Sequence, residues 1–246
     1  MNKHTESIVC SFQGQSMTNE LPQWDPSVTV FSRSQRPTRD EVEAMAQMMG
    51  LGFQSSRLMQ HWAGDTSVSG IVELMRMTLW AGLRYGWVAT TWDDSVPTAV
   101  SVWIPPGVRV PAWWQASLLP SMVRQFGLTQ ACLILRDLIV LDGVHSAADR
   151  EIGEHAYLLT IVTHPGYRRQ GHFARLMMPV VDWCDHVGCA AYLESDDTGE
   201  SDPDKWNRYR YRNFGFRLYG NGIPVSAEAL RLLYPAMIRP KRPQHS

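Results

Sequence analysis

A short basic turn at residues 168–172, RRQGH, holds the residue types with the clearest chemical potential in this chain. The apolar run Tyr157–Thr163 before it has the composition of a central strand, and a segment with one apolar helical face follows it. A helix N-terminus offers unpaired N–H groups and the positive end of a dipole, and Gly171 lets a ligand approach the backbone. With the charges of Arg168 and Arg169, these features indicate a pyrophosphate site. A strand–helix connection with solvent-exposed arginines is the alternative that the turn alone leaves open.

Two other phosphate-binding motifs are missing from this turn. A P-loop would need G-x-x-x-x-G-K-[ST], and a dinucleotide fingerprint would need G-x-G-x-x-G. The missing motifs weaken, but do not remove, the hypothesis that the protein binds the phosphates of a nucleotide. That hypothesis predicts that the protein is stabilised by ATP or NAD but not by coenzyme A.

The flanks of the turn give the pattern its specificity. The run LLTIVTHPGYRRQG followed by a helix resembles motif A of the GNAT superfamily of acyl-CoA N-acyltransferases, which is a strand, then [QR]-x-x-G-x-[GA], then a helix. Arg168 and Gly171 match the first and fourth positions, whereas Phe173 departs from the small residue usual at the sixth. Downstream, the segment from Asn207 through Tyr211 to Phe216 resembles the N-x-x-x-Y-x-x-x-G-F of that superfamily, at the right distance and in the right order.

Within the superfamily the sequence looks most like the puromycin N-acetyltransferase-like branch. The segment Ala99–Trp103 resembles its A-V-x-V-W strand, Glu154–Leu158 its H-W-Y-L strand start, and Tyr192–Ser195 its Y/F-L-E-[ST] strand. Pro179 stands where the helix of that branch also carries proline. The resemblance covers roughly residues 87–219.

This resemblance implies acetyl-CoA as co-substrate and assigns residues to its binding. Ile161, Val162 and Thr163 would pair with the pantetheine amides as if the cofactor were an added strand. An N–H group of the same strand would stabilise the oxyanion. Asn207 would bond to the pantetheine arm, or is simply an exposed polar residue. The residues expected around the diphosphate are Arg168, Arg169, Gln170, Gly171, His172 and Phe173; local capping or exposure is the ordinary alternative for the His172 side chain.

The implied reaction is direct transfer to an amine, which needs a base and an acid. Tyr211 is the candidate acid, because a phenol titrates near ~10 and a thiol near ~8.5, so the phenol is protonated when a thiolate leaves. The alternative is a tyrosine that merely packs under its helix. His155 and Glu194 are the candidate bases; a surface histidine and an ion-paired glutamate are their ordinary alternatives, and water could relay the proton instead.

Periodicity predicts the elements that must position these residues. Thr38 to Glu41 is a capping box, and an apolar face at Val42, Met45, Ala46 and Met49 follows it. The further predictions are a strand at Val28–Ser32, a helix at Ser69–Arg84, a hairpin of Trp87–Trp92 with Pro97–Ile104, helices over residues 112–150, a strand at Ala190–Glu194, a helix at Lys205–Asn213, a strand at Phe216–Tyr219 and a last strand within Arg231–Ile238.

These elements predict a mixed α/β (α+β) fold with a GNAT-like central sheet of six to seven strands flanked by helices. We expect a flexible extension over residues 1–26, one acyltransferase domain over residues 27–240 with its motifs in residues 87–219, and a basic tail over residues 241–246. The start of the native chain at Met1 or Met17 stays open.

Composition excludes several classes of partner. The formal net charge is -1 with 19% charged residues, so bulk charge gives no case for nucleic acid. No apolar stretch approaches a membrane span, and we expect a cytoplasmic protein with reduced cysteines. Cys184 and Cys189 are five residues apart at a helix end and should face different ways, so we predict ordinary packing and no metal.

The favoured function is therefore acetylation of a primary amine on a small molecule, with antibiotic-like compounds among the candidates. The alternative is a catalytically silent acyl-CoA-binding sensor or interaction module, which the bulky Phe173 favours. The acidic loop Asp196–Asp204 would attract a cationic acceptor. The acceptor itself, the acyl chain preference and the choice between monomer and homodimer stay open.

Overall fold

The structure, a computed structural model, describes residues 22–64, 68–195, 207–220 and 235–242, and at positions 112, 113 and 115 it describes the backbone alone. The predicted helix Lys205–Asn213 and the predicted last strand within Arg231–Ile238 lie partly outside the described residues, and three further predicted segments lie wholly or largely outside them. They are the extension over residues 1–26, the acidic loop Asp196–Asp204 and the tail over residues 241–246.

The first helix, α1 (Arg39–Gly52), begins at the predicted capping box. The backbone N–H of Glu41 donates to the Thr38 hydroxyl at 3.2 Å, and the Thr38 N–H donates to the Glu41 carboxylate at 2.6 Å. Two N–H groups at the start of the helix are thereby satisfied. The apolar face predicted for this helix is buried.

Seven more helices follow in the described part of the chain: α2 (Arg57–Ala63), α3 (Val68–Tyr85), α4 (Ala112–Ser117), α5 (Leu119–Phe126), α6 (Leu128–Ile152), α7 (His172–Val187) and α8 (Asn207–Arg212). The strands are β1 (Val28–Phe31), β2 (Trp87–Asp93), β3 (Val96–Ile104), β4 (His155–Thr163), β5 (Ala190–Glu194), β6 (Arg217–Leu218) and β7 (Ala236–Arg239). None of the described helices is both long and apolar enough to cross a membrane.

The strands form one seven-stranded sheet in the order β1-β2-β3-β4-β5-β7-β6, which confirms the predicted fold class. The pairings are antiparallel except for the central pair, in which β4 runs parallel to β5. A parallel pair needs a crossover connection, and α7 supplies it. The start of α7 therefore lies at the carboxyl end of β4.

Side chains that alternate along the strands pack into two separate apolar cores, one on each face of the sheet. One core joins one face of the sheet to α1, α2, α3, α5 and α6, and includes Val162 and Tyr192. The other joins the opposite face to α7 and α8, and includes Leu158 and Tyr211. The sheet is thus covered by helices on both faces.

Two local predictions need correction. The sequence patterns missed α2, whose seven residues are too few to establish a helical period. The expectation that Cys184 and Cys189 face different ways is wrong, because the two buried thiols interact, and this interaction together with burial raises the pKa of Cys184. The chain turns sharply at the end of α7, where the Cys189 N–H donates to the Cys184 carbonyl at 2.9 Å, and this turn brings the buried thiols together.

Candidate active site

The two central strands lie side by side at their beginnings and then separate. The last parallel pair is Leu158 with Leu193, although β4 continues to Thr163 alongside β3. A bulge leaves Leu159 as an extra residue on β4, opposite the step between two β3 residues. Within the described residues, 159–163 therefore has no strand neighbour on its β5 side, and its backbone groups there can pair with an extended ligand.

The residues predicted to pair with pantetheine all lie in this open stretch of β4. The side chain of Ile161 lines the cavity described below, whereas that of Val162 packs against the end of α1. A Cβ at Gly52 would lie 2.2 Å from Cγ2 of Val162, so α1 can approach β4 this closely because residue 52 is glycine.

The basic turn joins β4 to α7 in the layout predicted for a diphosphate site. The chain passes through a short 3₁₀ turn, Pro165–Tyr167, and then takes left-handed backbone angles at Arg169 (φ 65°) and Gly171 (φ 82°). No atom lies within 4 Å of the position that a Cβ of Gly171 would take. No side chain caps the N-terminus of α7, so its first N–H groups and its dipole suit an anion.

The polar side chains of the turn are exposed, and one of them already has a partner. Arg168 donates through Nη2 to the carbonyl of Gly52 at 3.3 Å, which ties the turn to the end of α1. Arg168, Arg169 and Gln170 are all solvent-exposed. Their role at the diphosphate stays a prediction.

The next two residues have side chains that enter the protein. The ring of His172 is buried, and its Nδ1 lies 3.2 Å from the Thr91 hydroxyl and 3.3 Å from that of Thr98. The side chain is thus neither a cap nor exposed, and what it leaves for a ligand is the backbone N–H. Phe173 packs its ring 5.6 Å from Tyr211 and 5.5 Å from Phe214, so its bulk is accommodated in an aromatic cluster.

A cavity of about 220 Å³ opens beside the separated strands. Its lining includes four of the predicted site residues, namely Ile161, Glu194, Asn207 and Tyr211. The remaining walls come from α2, α3, α5 and α6 and from the segment after β3. The structure thereby brings the open edge of β4, one candidate base and the candidate acid to the same space.

Glu194, at the end of β5, is the most unusual ionisable group of the cavity. Burial raises its pKa to about 7, against the opposing effect of the Tyr157 and Tyr192 hydroxyls. Tyr157 donates to Oε2 at 2.8 Å, whereas Oε1 is buried without a hydrogen-bond partner among the described residues. A carboxyl with this pKa and a free oxygen can accept a proton near neutral pH.

His155, the other candidate base, does not line the cavity. It is buried at the start of β4, and its Nε2 lies 2.9 Å from Nε2 of His145, a cavity-lining residue on α6. Since Nδ1 of His155 donates to the Gly153 carbonyl at 2.8 Å, its Nε2 accepts from His145 when both rings are neutral. Burial lowers the pKa of His155 and lowers that of His145 to about 3, which keeps both neutral.

His145, Asp149 and His155 offer one ligand atom each within 4.8 Å of one another, a spacing that a metal ion could use. Each group nevertheless has a partner in the protein. Asp149 pairs with Arg109 and lies 3.4 Å from Nδ1 of His155, and the two histidines bond to each other. The cluster is therefore satisfied as a hydrogen-bonded group.

The sequence patterns missed Tyr157 and His145. Tyr157 reads as one more apolar strand residue, and His145 sits within a long helix without a motif. His145 and Asp149 are four residues apart and therefore lie on the same face of a helix. This spacing was the sequence feature from which their proximity could have been predicted.

Replacing Tyr157 with phenylalanine should move the acidic limb of the pH–rate profile to higher pH. The phenol donates to the Glu194 carboxylate and so stabilises the charged form; without it the pKa rises above about 7 and less base is present at neutral pH. The measurement is kcat/KM between pH 6 and 9. Tyr219→Phe is the matched control, because it removes a tyrosine–glutamate bond of the same 2.8 Å length outside the cavity. An unshifted limb in Tyr157→Phe would contradict the assignment of the base.

A parallel strand pair that separates beside an uncapped helix N-terminus, with a buried carboxyl oxygen and a tyrosine in the gap, is the arrangement that the resemblance to the GNAT superfamily predicts. Residues 139–216 match the Acetyltransferase (GNAT) family. The match contains β4, the basic turn, α7, β5 and Tyr211. The more specific resemblance to the puromycin N-acetyltransferase-like branch stays a prediction.

Solved structures of low sequence identity share the fold. A histone acetyltransferase HPA2-related protein from Corynebacterium glutamicum is 17% identical and has a TM-score of 0.54, with 89% of this chain and 99% of that chain covered. An agmatine N-acetyltransferase is 13% identical with a TM-score of 0.51, covering 86% and 98%. A putative arylalkylamine N-acetyltransferase from the yellow fever mosquito is 13% identical with a TM-score of 0.50, covering 86% of each chain. No curated protein sequence matches the chain.

Proposed function

We propose that this protein transfers the acetyl group of acetyl-CoA directly to a primary amine of a small molecule. The observation that carries the proposal is Glu194, whose Oε1 is buried, whose pKa burial raises to about 7, and which shares a cavity with Tyr211 and with the open edge of β4. Protein amines are the other acceptor class on which GNAT acetyltransferases act. The largely apolar lining of the cavity and its volume of about 220 Å³ support the small molecule.

The residues present fit acetyl-CoA. The open edge of residues 159–163 can accept the pantetheine amides, and the uncapped start of α7 with the empty space at Gly171 can accept the diphosphate. Bound there, acetyl-CoA supplies an activated thioester carbonyl. A backbone N–H of β4 near Val162 and Thr163 would stabilise the oxyanion that forms at this carbonyl.

Two side chains would then move the protons. Glu194 would take a proton from the acceptor ammonium through its unpartnered Oε1, which leaves a neutral amine to attack. Tyr211 would donate its phenol proton to the departing thiolate, and the resulting phenolate would take up the proton that the attacking nitrogen loses as the amide forms. Glu194 would return its proton to solvent when the product leaves. His145 and His155 would hold the ring cluster beside Tyr157 and Tyr192, against which His145 packs with ring centroids 4.3 and 5.1 Å away.

The catalytically silent module is the second candidate, because Phe173 occupies a position that is usually small. Its ring lies among Tyr211 and Phe214, which weakens that case. Stabilisation by acetyl-CoA without release of free thiol from any of a broad panel of amines would favour the module. Stabilisation by ATP but not by coenzyme A would favour the nucleotide-phosphate binder. We further propose a cytoplasmic location, antibiotic-like amines among the acceptors, and a monomer or homodimer.

Gly171→Ala should weaken acetyl-CoA binding by about tenfold or more, the effect of losing one charge-assisted hydrogen bond of ~1.5–3 kcal/mol at the diphosphate. Gly64→Ala is the matched control, because Gly64 at the end of α2 has the same left-handed backbone (φ 75°, ψ −2° against φ 82°, ψ −3°). A Cβ there would make only ordinary contacts with the Gln130 side chain. Both variants should lose about 1 kcal/mol of folding free energy from backbone strain. Equal acetyl-CoA affinities in the two variants, measured by thermal shift or calorimetry, would place the diphosphate elsewhere.

A further inference from the structure

We infer that the acceptor amine has a compact apolar body, and that the site selects acceptors by their lack of further polar groups more than by their shape. The inference rests on the proposed function and names its substrate class. It follows from the walls, the charges and the size of the cavity.

The walls of the cavity are built from flexible apolar side chains. Four methionines line it, Met59 from α2, Met75 and Met77 from α3, and Met122 from α5. Unbranched thioethers fit apolar bodies of different outline and make favourable contacts with aromatic rings. Leucine, isoleucine and tryptophan side chains make up nearly half of the remaining lining residues. Such a lining tolerates variation in shape.

The charges of the cavity suit one ammonium group. Among the described lining residues, the arginine and carboxylate side chains are those of Arg109, Asp142 and Glu194. Arg109 is neutralised by its ion pair with Asp149, and Asp142 is exposed on α6, towards solvent. The deep part of the cavity therefore has a single buried carboxyl, Glu194, to face a cation.

Polar groups of the acceptor that face the apolar part of the wall would lose water without gaining a partner. A hydroxyl buried without a hydrogen bond costs about 1–3 kcal/mol, and an unpaired buried charge costs several kcal/mol. The cavity volume of about 220 Å³ corresponds to roughly seven water molecules in the liquid. This space suits one ring or a short alkyl chain rather than a polyhydroxylated multi-ring amine.

The test compares hexylamine with 1,6-diaminohexane, which differ by a second ammonium at the far end. At saturating acetyl-CoA, thiol release should give a kcat/KM at least about 100-fold higher for hexylamine, because the second charge would enter the apolar wall. Phenethylamine, which differs from hexylamine in shape but not in polarity, should lie within about tenfold of hexylamine.

Two variants distinguish an effect of the cavity lining on the acceptor from a general effect of replacing methionine by glutamine. Met77→Gln keeps the side-chain length in a half-buried wall position and adds polar atoms, and should lower kcat/KM for hexylamine by about tenfold while acetyl-CoA affinity is unchanged. Met178→Gln makes the same change on α7, where Met178 is 43% exposed and outside the cavity lining, and should change neither value.

The outcomes distinguish the two proposals. Equal turnover of hexylamine and the diamine, or equal effects of the two variants, would overturn the inference and leave the acetyltransferase function standing. Acetyl-CoA stabilisation without thiol release from any amine would instead overturn the function. In that case the inference is tested by binding. Each amine is added to the protein with acetyl-CoA, and the inference requires that hexylamine raise the melting temperature more than 1,6-diaminohexane does.

Discussion

Glu194→Gln should lower kcat for acetyl transfer by about 10²- to 10³-fold, the range expected when a general base is removed. Glutamine has nearly the shape of glutamate and can still accept the Tyr157 hydrogen bond, but it cannot take a proton from the acceptor. Steady-state thiol release with a saturating amine measures the effect. The rise in rate through pH 7 should vanish with the carboxyl, because that limb reports the ionisation of Glu194.

Stability provides an internal control for this variant. Burial raises the pKa of Glu194 from the ordinary 4.5 to about 7, so the folded state binds the proton more tightly than the unfolded state. Its contribution to stability is therefore complete below pH 4.5 and is lost as the pH rises through 7. The glutamine variant lacks this loss and should be at least as stable as the parent at pH 8.

Glu151→Gln is the matched substitution. Glu151 is exposed and lies away from the cavity, and its carboxylate accepts a hydrogen bond from the Tyr219 hydroxyl at the same distance, 2.8 Å. This substitution should leave kcat unchanged. Full activity in Glu194→Gln would remove this carboxyl from the mechanism and leave water, or His155 acting through His145, as the route for the proton.

Tyr211→Phe should slow turnover by about 10²-fold or more while acetyl-CoA affinity stays close to that of the parent. The ring packs 5.6 Å from Phe173 and 6.1 Å from Phe216, and phenylalanine preserves those contacts. The phenol oxygen is what changes, and with it the proposed donor to the leaving thiolate. Turnover and the acetyl-CoA dissociation constant, measured on the same preparation, separate the two effects.

Tyr209→Phe is the control on the same short helix, because Tyr209 is 36% exposed and does not line the cavity. It should leave turnover unchanged. If Tyr211→Phe lowered the melting temperature but left kcat intact, Tyr211 would be a packing residue, which is the alternative reading of its buried ring. The two tyrosine variants therefore test whether a phenol is needed for turnover and whether it must be at position 211.

The sequence by itself determined the layout of the segment from β4 to α7. The apolar run, the basic turn and the amphipathic helix are contiguous, so the strand–turn–helix order and the left-handed glycine follow from local rules. The capping box of α1 and the hairpin of β2 and β3 were predictable for the same reason. Two motifs spaced along the chain also indicated the acetyltransferase class that the family match and the fold support.

The tertiary structure alone decided what surrounds the chemistry. The separation of β4 from β5 after Leu158, the bond from Tyr157 to Glu194 and the inward ring of His172 depend on residues distant in sequence. The pKa of Glu194 depends on its burial, which no local pattern of residues encodes. The methionine walls come from three separate helices, and α2 is too short for its period to be seen. Local rules fix each element because neighbours in sequence interact there, whereas the cavity exists only where elements meet.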